Sequence, residues 1–251
     1  MAGETGQTVE DYQGKFIKTR PLPGLNFGAK GNNEAMFLDE INSMGYRATE
    51  FDTIDWNEAI VCFGCSMVYG VGLKKEDTWT YKLEKATGRP VINMGLPAGS
   101  NQANMHNQIA LREISKPYAV VNSWSSTLRD VAWSEHIQYP HHLGSWSLDP
   151  KVVSEEVAEK TNGWWEIAMN DVNIVRTQQL LYRTAQILWE DTKHIQFTWF
   201  HDTHKLFKCR FMRYLDIASD QSHPGPNTAT QVSEYIKNST KLNRLLFVKC
   251  T

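Results

Sequence analysis

Residues 58–73 of the chain are EAIVCFGCSMVYGVGL. An apolar run at residues 59–63 ends at Gly64 and is followed after one residue by Ser66. An uninterrupted apolar run bounded by glycine is typical of a parallel-sheet strand, which is buried on both faces. We therefore predict a buried strand that delivers Ser66 to a tight turn at the carboxyl edge of a sheet, where open α/β sheets bind ligands.

The rest of the chain alternates between strand and helix patterns. The spacing of Met36, Phe37, Ile41 and Met44 predicts a helix that Gly45 closes, and EDTWTYKLEKATG predicts a second one with Asp77 as N-cap and Gly88 as C-cap. Further strands are predicted at residues 90–95, 117–124 and 194–200, and further helices from about Asn101, from Asp171 to about Asp191 and from about Thr228 to Leu242. This alternation predicts parallel βαβ units in an α/β fold with helices on both faces of the sheet.

A chain of 251 residues can form one large domain with a full core, and we prefer that to two small ones. Residues 1–35 carry glycine, proline and charge without a period, which predicts an N-terminal arm or loop before a single domain at residues 36–251. A tryptophan-rich insertion at about 125–170 interrupts that domain with Trp133, Trp146, Trp164 and Trp165. Two interpretations stay open, since the insertion can border a site or its rings can cover the sheet edge.

Composition limits the partners. The chain has 26 Lys and Arg against 28 Asp and Glu, a net charge of −2, and the charges are mixed along its length. A nucleic-acid or anionic-membrane surface needs a regional basic excess, so neither partner is expected. The chain has no apolar run of about 18 residues and starts without an apolar signal core, which predicts no transmembrane segment, no signal peptide and a cytoplasmic location.

Four cysteines are too few for a disulfide framework in a chain of this size, so reduced thiols are expected. Cys62 and Cys65 have the C-x-x-C spacing, which allows a redox pair or half of a zinc site as an alternative. The H-D-T-H run of His201 and His204, with Cys209 nearby, allows another metal site. Because such polar residues are common in turns and loops, we expect neither a metal nor a cofactor.

A serine hydroxyl becomes an effective nucleophile only when a base takes its proton and a third group holds that base in one tautomer. Asp220 and His223 supply both groups in one D-x-x-H loop before the last helix. The developing oxyanion needs hydrogen-bond donors, which turn amides and an amide side chain can provide. Gly95, at the end of the second strand, and Asn122, near the end of the third, are the candidates.

The order of GCSMVYGVGL, NMGLPAGS and DQSHPG before a terminal helix resembles the SGNH (GDSL-type) hydrolase superfamily. It is similar in particular to a phage and marine-bacterial branch in which a GCS block is followed by a threonine–tryptophan pair, here Thr78 and Trp79. The resemblance spans roughly residues 58–240. It implies a flavodoxin-like three-layer α/β/α fold and ester hydrolysis through a serine acyl-enzyme.

The resemblance also implies roles for individual residues. Ser66 would be the nucleophile, His223 the general base and Asp220 its orienting partner, and the amides of Ser66 and Gly95 would donate to the oxyanion. The third block departs from the G-x-N-D pattern of the superfamily. Asn122 is therefore either the oxyanion asparagine in a changed loop or a residue that only caps a strand end.

The leading hypothesis is a serine esterase that removes a small acyl group such as acetyl from a carbohydrate or another polar small-molecule ester, with insertion tryptophans stacked on the sugar. The alternative is a catalytically weak or inactive binding module that keeps the hydrolase fold and is associated with a virion.

Overall fold

The computed structural model describes residues 16–17, 41–132, 141–149 and 154–241. Its strands are β1 (Ile60–Gly64), β2 (Val91–Gly95), β3 (Ala119–Trp124), β4 (Asp130–Ala132), β5 (His141–Leu143), β6 (Lys193–Thr198) and β7 (Arg210–Phe211). Its α-helices are α1 (Ser66–Tyr69), α2 (Trp79–Thr87), α3 (Asn101–Ile114), α4 (Glu155–Ala168), α5 (Asp171–Leu188), α6 (His201–Phe207) and α7 (Pro226–Lys241). Among these described helices, none has the length and apolar character that crossing a membrane requires.

Five strands form one parallel sheet in the order β2-β1-β3-β6-β7, and β4 and β5 form a separate antiparallel pair. Residue Ile60 of β1 lies opposite Val91 of β2 on one side and Ala119 of β3 on the other. The chain therefore leaves β1 in one direction and returns to its other side, which is the flavodoxin-like order with its switch point between β1 and β3. The predicted α/β fold with a central parallel sheet is confirmed.

The side chains of β1 alternate between two cores. One core joins Val61 and Phe63 to α3, and the other joins Ile60 and Cys62 to α2 and α7. Because successive strand residues point to opposite faces, an all-apolar strand needs a helix layer on each side. The result is the predicted three-layer α/β/α arrangement.

The caps of α2 correct one predicted boundary. The helix begins after Thr78, whose hydroxyl accepts a hydrogen bond from the Tyr81 N–H at 3.3 Å, and not after Asp77. Asp77 instead ends a short 3-10 turn that precedes the helix. The predicted C-cap, Gly88, is confirmed, since it takes the left-handed conformation with φ 69°.

The predicted helix that ends at Gly45 is wrong where the structure describes it. Residues 41–50 form turns and bends, and residues 34–40 lie outside the described part. The side-chain oxygen of Asn42 accepts hydrogen bonds from the backbone N–H of Met44 at 3.1 Å and of Tyr46 at 2.9 Å. An asparagine side chain that bonds nearby amides offers the backbone an alternative to the helix, even where the apolar spacing is helical.

Two residues of the predicted N-terminal arm pack into the core. The ring of Phe16 lies 5.4 Å from that of Phe51, edge to face. The backbone N–H of Ile17 donates to the side chain of Asn107 at 2.8 Å, and the Ile17 carbonyl accepts from the buried Tyr46 hydroxyl. These two residues therefore contribute to the same core as the sheet.

Candidate active site

Ser66 lies at the carboxyl end of β1, where the strand passes into the single-turn helix α1. A Cβ on Gly64 would lie 2.4 Å from Val68 Cγ2 and 2.8 Å from the Ser123 carbonyl oxygen, so only glycine lets the strand end this close to both. The helix ends at Gly70, in the left-handed conformation with φ 83°. Ser66 is 6% exposed, and its N–H is the first amide of α1, a position that has no acceptor within a helix.

The structure brings Ser66, His223 and Asp220 together. His223 Nε2 lies 2.8 Å from Ser66 Oγ, and His223 Nδ1 is hydrogen-bonded to Asp220 Oδ2. The other Asp220 oxygen accepts from the backbone N–H of His223 at 3.1 Å and of Ser222 at 3.2 Å. Because a carboxylate accepts and cannot donate, Nδ1 carries the proton and Nε2 is left as the acceptor that faces the serine.

The loop that carries Asp220 and His223 is closed at its base by Asp216. The Asp216 carboxylate accepts from the backbone N–H of Asn227 at 2.9 Å and of Thr228 at 2.8 Å, and from the Thr228 hydroxyl at 2.7 Å. Burial alone would raise the pKa of Asp216, but these hydrogen bonds outweigh it and lower the pKa. The loop is therefore anchored to the first turn of α7, and no pattern in the sequence marks this role of Asp216.

A buried arginine fixes the chain on the other side of Ser66. Arg47 donates from its guanidinium to the carbonyl oxygens of Gly70 and Leu73, each at 2.9 Å, and more weakly to that of Tyr69 at 3.4 Å. The carbonyls of Gly70 and Leu73 lie beyond the last residue of α1, where no further helical turn supplies amide donors. Sequence reasoning missed Arg47, because it stands in an irregular segment with no pattern that marks it.

The amide of Gly95 is engaged within its own strand. Its N–H donates to the Asn93 side-chain oxygen at 3.0 Å, and the Asn93 amide donates in turn to the Val68 carbonyl at 2.8 Å. A Cβ on Gly95 would lie 2.4 Å from the backbone nitrogen of Tyr69. This position therefore requires glycine, because β2 approaches α1 too closely for a side chain to fit between them.

Asn122, the predicted side-chain oxyanion donor, lies in a hydrogen-bond network away from Ser66. Its Nδ2 lies 3.0 Å from Gln108 Oε1 and 3.1 Å from His194 Nε2, so both of its hydrogens are engaged. The Gln108 oxygen also accepts from Trp189 Nε1, which belongs to the core on the α3 side of the sheet. Asn122 therefore faces the opposite layer from α2 and α7.

A small cavity adjoins Ser66 and His223 on the α2 and α7 side. Its volume is about 10 Å³. Its other lining residues are almost all apolar: Met67, Gly70, Val71, Leu73, Trp79, Trp199, Pro224 and Ala229. A space of this size holds about one water-sized group.

No protein-family model matches the chain, and no curated protein matches it in sequence. Among solved structures, the chain is similar to TesA, with 13% identity over 73% of this chain and 98% of that one and a TM-score of 0.45. It is also similar to the psychrotrophic esterase EstA of Pseudoalteromonas sp., with 14% identity, coverage of 74% and 97% and a TM-score of 0.42. The chain is also similar to a protein of the G-D-S-L family from Desulfitobacterium hafniense DCB-2. The identity is 14% over 73% of this chain and 99% of that one, with a TM-score of 0.42.

The cysteines and histidines that the sequence offered as metal ligands are buried, hydrogen-bonded or stacked on other protein groups. Cys62 and Cys65 are buried free thiols, and burial raises the pKa of Cys62. His204 Nδ1 lies 2.7 Å from the Cys209 carbonyl oxygen, and the ring of His201 stacks on a phenylalanine. Within residues 16–17, 41–132, 141–149 and 154–241, no three His, Cys, Asp or Glu side chains form a group that could hold a metal ion.

Only part of the tryptophan-rich insertion is described. Trp133 and the side chain of Trp146 lie outside the described part. Trp164 stands on α4, is 47% exposed and hydrogen-bonds to Asp130. The two interpretations of this insertion both stay predictions.

His194 provides a test of the buried network around Asn122. Burial lowers the pKa of His194 to about 3, whereas an unfolded histidine titrates near 6.5. Between these two pKa values the unfolded chain binds a proton that the folded chain excludes. The contribution of His194 to stability is therefore fully present above the unfolded pKa, and it is lost progressively as the pH falls towards the folded pKa. We expect the free energy of unfolding to fall by up to about 1.4 kcal/mol per pH unit from this group.

The comparison is denaturant unfolding of wild type and His194→Gln, from neutral pH to about pH 4. Glutamine keeps an acceptor for the Asn122 amide but does not titrate. The free energy of unfolding of His194→Gln should therefore depend less steeply on pH than that of wild type. Identical slopes would show that His194 is not the group responsible.

Proposed function

We propose that the protein is a serine hydrolase that cleaves a carboxylic ester through a covalent acyl-enzyme. The observation that carries this proposal is the hydrogen-bonded series from Ser66 Oγ through His223 to Asp220. Ser66 and His223 are 157 positions apart along the chain, and they meet at the carboxyl edge of the sheet. Nucleophile, base and orienting carboxylate in this relation are what serine catalysis needs.

In the proposed reaction, His223 Nε2 takes the hydroxyl proton as Ser66 Oγ attacks the ester carbonyl carbon. The resulting imidazolium is stabilised by Asp220 and returns the proton to the alcohol oxygen when the carbon–oxygen bond to the alcohol breaks. Water then attacks the acyl-enzyme by the same route and releases the carboxylic acid. The Ser66 N–H is the donor for the oxyanion in both steps.

A small acyl group suits the site best. The cavity beside Ser66 has room for about one water-sized group and is lined mainly by apolar side chains, which favours acetyl over longer chains. For the alcohol part we propose a carbohydrate or another polar alcohol.

A second candidate is a binding module that keeps the hydrolase fold with weak catalysis or none, for example in a virion. The observation in its favour is that the Asn122 amide and the Gly95 N–H are both engaged elsewhere. Loss of one oxyanion donor lowers the rate by about 10² to 10³. This candidate predicts an unreactive Ser66.

Labelling by a fluorophosphonate probe, followed by intact mass and peptide mapping, separates the two candidates. The phosphonyl group should attach to Ser66 of wild type, and Ser66→Ala and His223→Ala should stay unlabelled because the nucleophile or its base is missing. Folded wild type that takes no label would exclude the proposed hydrolase. Label on Ser66→Ala would place the reactive group elsewhere.

A further inference from the structure

The outer face of α5 carries apolar side chains that the core does not use. The inner face of this helix packs with Ala185 into a core that contains Met105 of α3. On the outer face, Leu180 is 66% exposed and Ile187 is 70% exposed. Both belong to a line of exposed residues spaced four, four, three and four positions apart, the α5 stripe: Val172, Arg176, Leu180, Arg183 and Ile187. This spacing keeps all five on one face of the helix.

The outer face of α7 shows how this protein builds a face that water covers. On the opposite side of the sheet, α7 buries Val232 and Ile236 in the core shared with α2. Its exposed side chains, among those that the structure describes, are polar: Asn227, Thr230, Gln231, Glu234 and Asn238. Single exposed apolar residues are common on proteins, whereas a continuous apolar face marks an interaction site. We therefore expect a partner on the α5 stripe.

The preceding helix, α4, exposes charge of the opposite sign. It packs against the 3-10 turn Ser145–Leu148 and buries Ala158 and Thr161. Its exposed charged residues are four glutamates and one lysine: Glu155, Glu156, Glu159, Glu166 and Lys160. Ile167, next to the last glutamate, is 75% exposed. The outer face of α4 is therefore acidic with an apolar residue on it, whereas the α5 stripe is apolar and basic.

The charges on the two helices select the kind of partner. Two residues separate α4 from α5, and both outer faces are exposed, so neither helix covers the other within one copy of the chain. If two α5 stripes paired antiparallel about a two-fold axis between residues 179 and 180, Arg176 would lie against Arg183 of the other copy, and like charges in contact are unfavourable. An anionic membrane would attract these arginines and repel the glutamates of α4. The partner that suits both faces is another α4 and α5.

We propose that two copies of this chain associate through these helices, with α4 of each copy packed on the α5 stripe of the other. In such an isologous arrangement every contact occurs twice, so both faces of both copies are covered at once. Arg176 and Arg183 then meet glutamates of α4, and the apolar residues between them are withdrawn from water. The inference does not depend on the proposed function of Ser66.

The first measurement is sedimentation velocity of the full chain from micromolar to hundreds of micromolar concentration. The average mass of wild type should rise with concentration towards twice that of one chain. Leu180→Glu should raise the dissociation constant about tenfold or more, because it places a charge in the apolar contact twice per dimer. Glu234→Arg is the matched control, since it changes an exposed charge on α7, and it should associate like wild type.

A charge exchange tests which helix meets which. One variant carries Arg176→Glu with Arg183→Glu, so both of its faces are acidic, and the other carries Glu159→Arg with Glu166→Arg, so both are basic. Each variant alone should sediment as a single chain, because its own faces repel each other. An equal mixture should form dimers again, because acidic and basic faces then meet at both contacts. Recovery in the mixture would also show that both variants are folded.

Four results would overturn the proposal. Wild type that sediments as a single chain at every concentration would exclude the association, and a mass that grows beyond two chains would exclude the reciprocal arrangement. A wild-type dimer that none of the changes in α4 and α5 weakens would place the interface elsewhere. Two charge variants that remain single chains when mixed would exclude the pairing of α4 with α5.

Discussion

Replacing His223 by alanine is expected to lower kcat for a small acetyl ester by about 10⁶-fold, and replacing Asp220 by asparagine is expected to lower it by about 10⁴-fold. The imidazole is the group that faces the serine oxygen, at 2.8 Å, so its removal leaves the hydroxyl without a base. The carboxylate acts only through the ring, which is why its loss costs less.

The asparagine variant has a specific defect. The remaining side-chain oxygen can still accept from the backbone N–H groups of Ser222 and His223, so the loop should keep its shape. The new amide would donate to His223 Nδ1, which moves the ring proton to Nε2. A histidine that already carries a proton on Nε2 cannot take one from Ser66.

The double variant is the decisive measurement. If Asp220 acts only through His223, as proposed, His223→Ala combined with Asp220→Asn should be no slower than His223→Ala alone. Denaturant unfolding of each variant checks that the fold persists. If the fold-losses in kcat of the two single variants instead multiply in the double variant, Asp220 acts independently of the ring. A His223→Ala enzyme with kcat within tenfold of wild type would exclude His223 as the base.

The sheet could be predicted from sequence because its signals are local. The apolar run 59–63 and the glycine after it specify a strand buried on both faces, and the predicted caps Asp77 and Gly88 mark the next helix to within one residue. Asp220 and His223 are also local, three positions apart. Their approach to Ser66 depends on the parallel order of the strands, which the alternation of elements predicts.

The surroundings of Asn122 could not be predicted from the residues next to it in sequence. Successive strand residues face opposite sides of the sheet, so a shift of one position decides whether a side chain meets the α2 layer or the α3 layer. The next residue, Ser123, accepts a hydrogen bond from Trp199, which lines the cavity beside Ser66. The partners of Asn122 come from α3 and β6, and nothing near it in sequence identifies them.

Arg47 and Asp216 were missed for the same reason. Each acts on backbone groups that belong to another element, the carbonyls after α1 and the amides at the start of α7. A charged residue in an irregular segment carries no period, so its partners appear only when the chain is folded. Both hold the loops on which the geometry of Ser66 and His223 depends.

Gly95→Ala is expected to destabilise the protein by roughly 3 kcal/mol, because the added methyl group meets backbone that cannot rotate away. The new Cβ would lie 2.4 Å from the Tyr69 nitrogen and 2.9 Å from both Tyr69 Cα and the Val68 carbonyl carbon. Relief requires β2 and α1 to separate. Because α1 begins at Ser66, that serine would move relative to His223, and activity per folded molecule should fall as well.

The matched control is Gly163→Ala, in the described helix α4, where an added Cβ has no atom within 4 Å. It should raise the free energy of unfolding by about 0.5–1 kcal/mol, since alanine is the better helix former. Denaturant unfolding and ester hydrolysis of both variants separate two roles for Gly95. Alanine keeps the backbone N–H, so a glycine that served only as an oxyanion donor would tolerate the change in both measurements. A Gly95→Ala protein as stable and active as wild type would therefore contradict the packing role, and a loss of both would explain this glycine without any contact to the substrate.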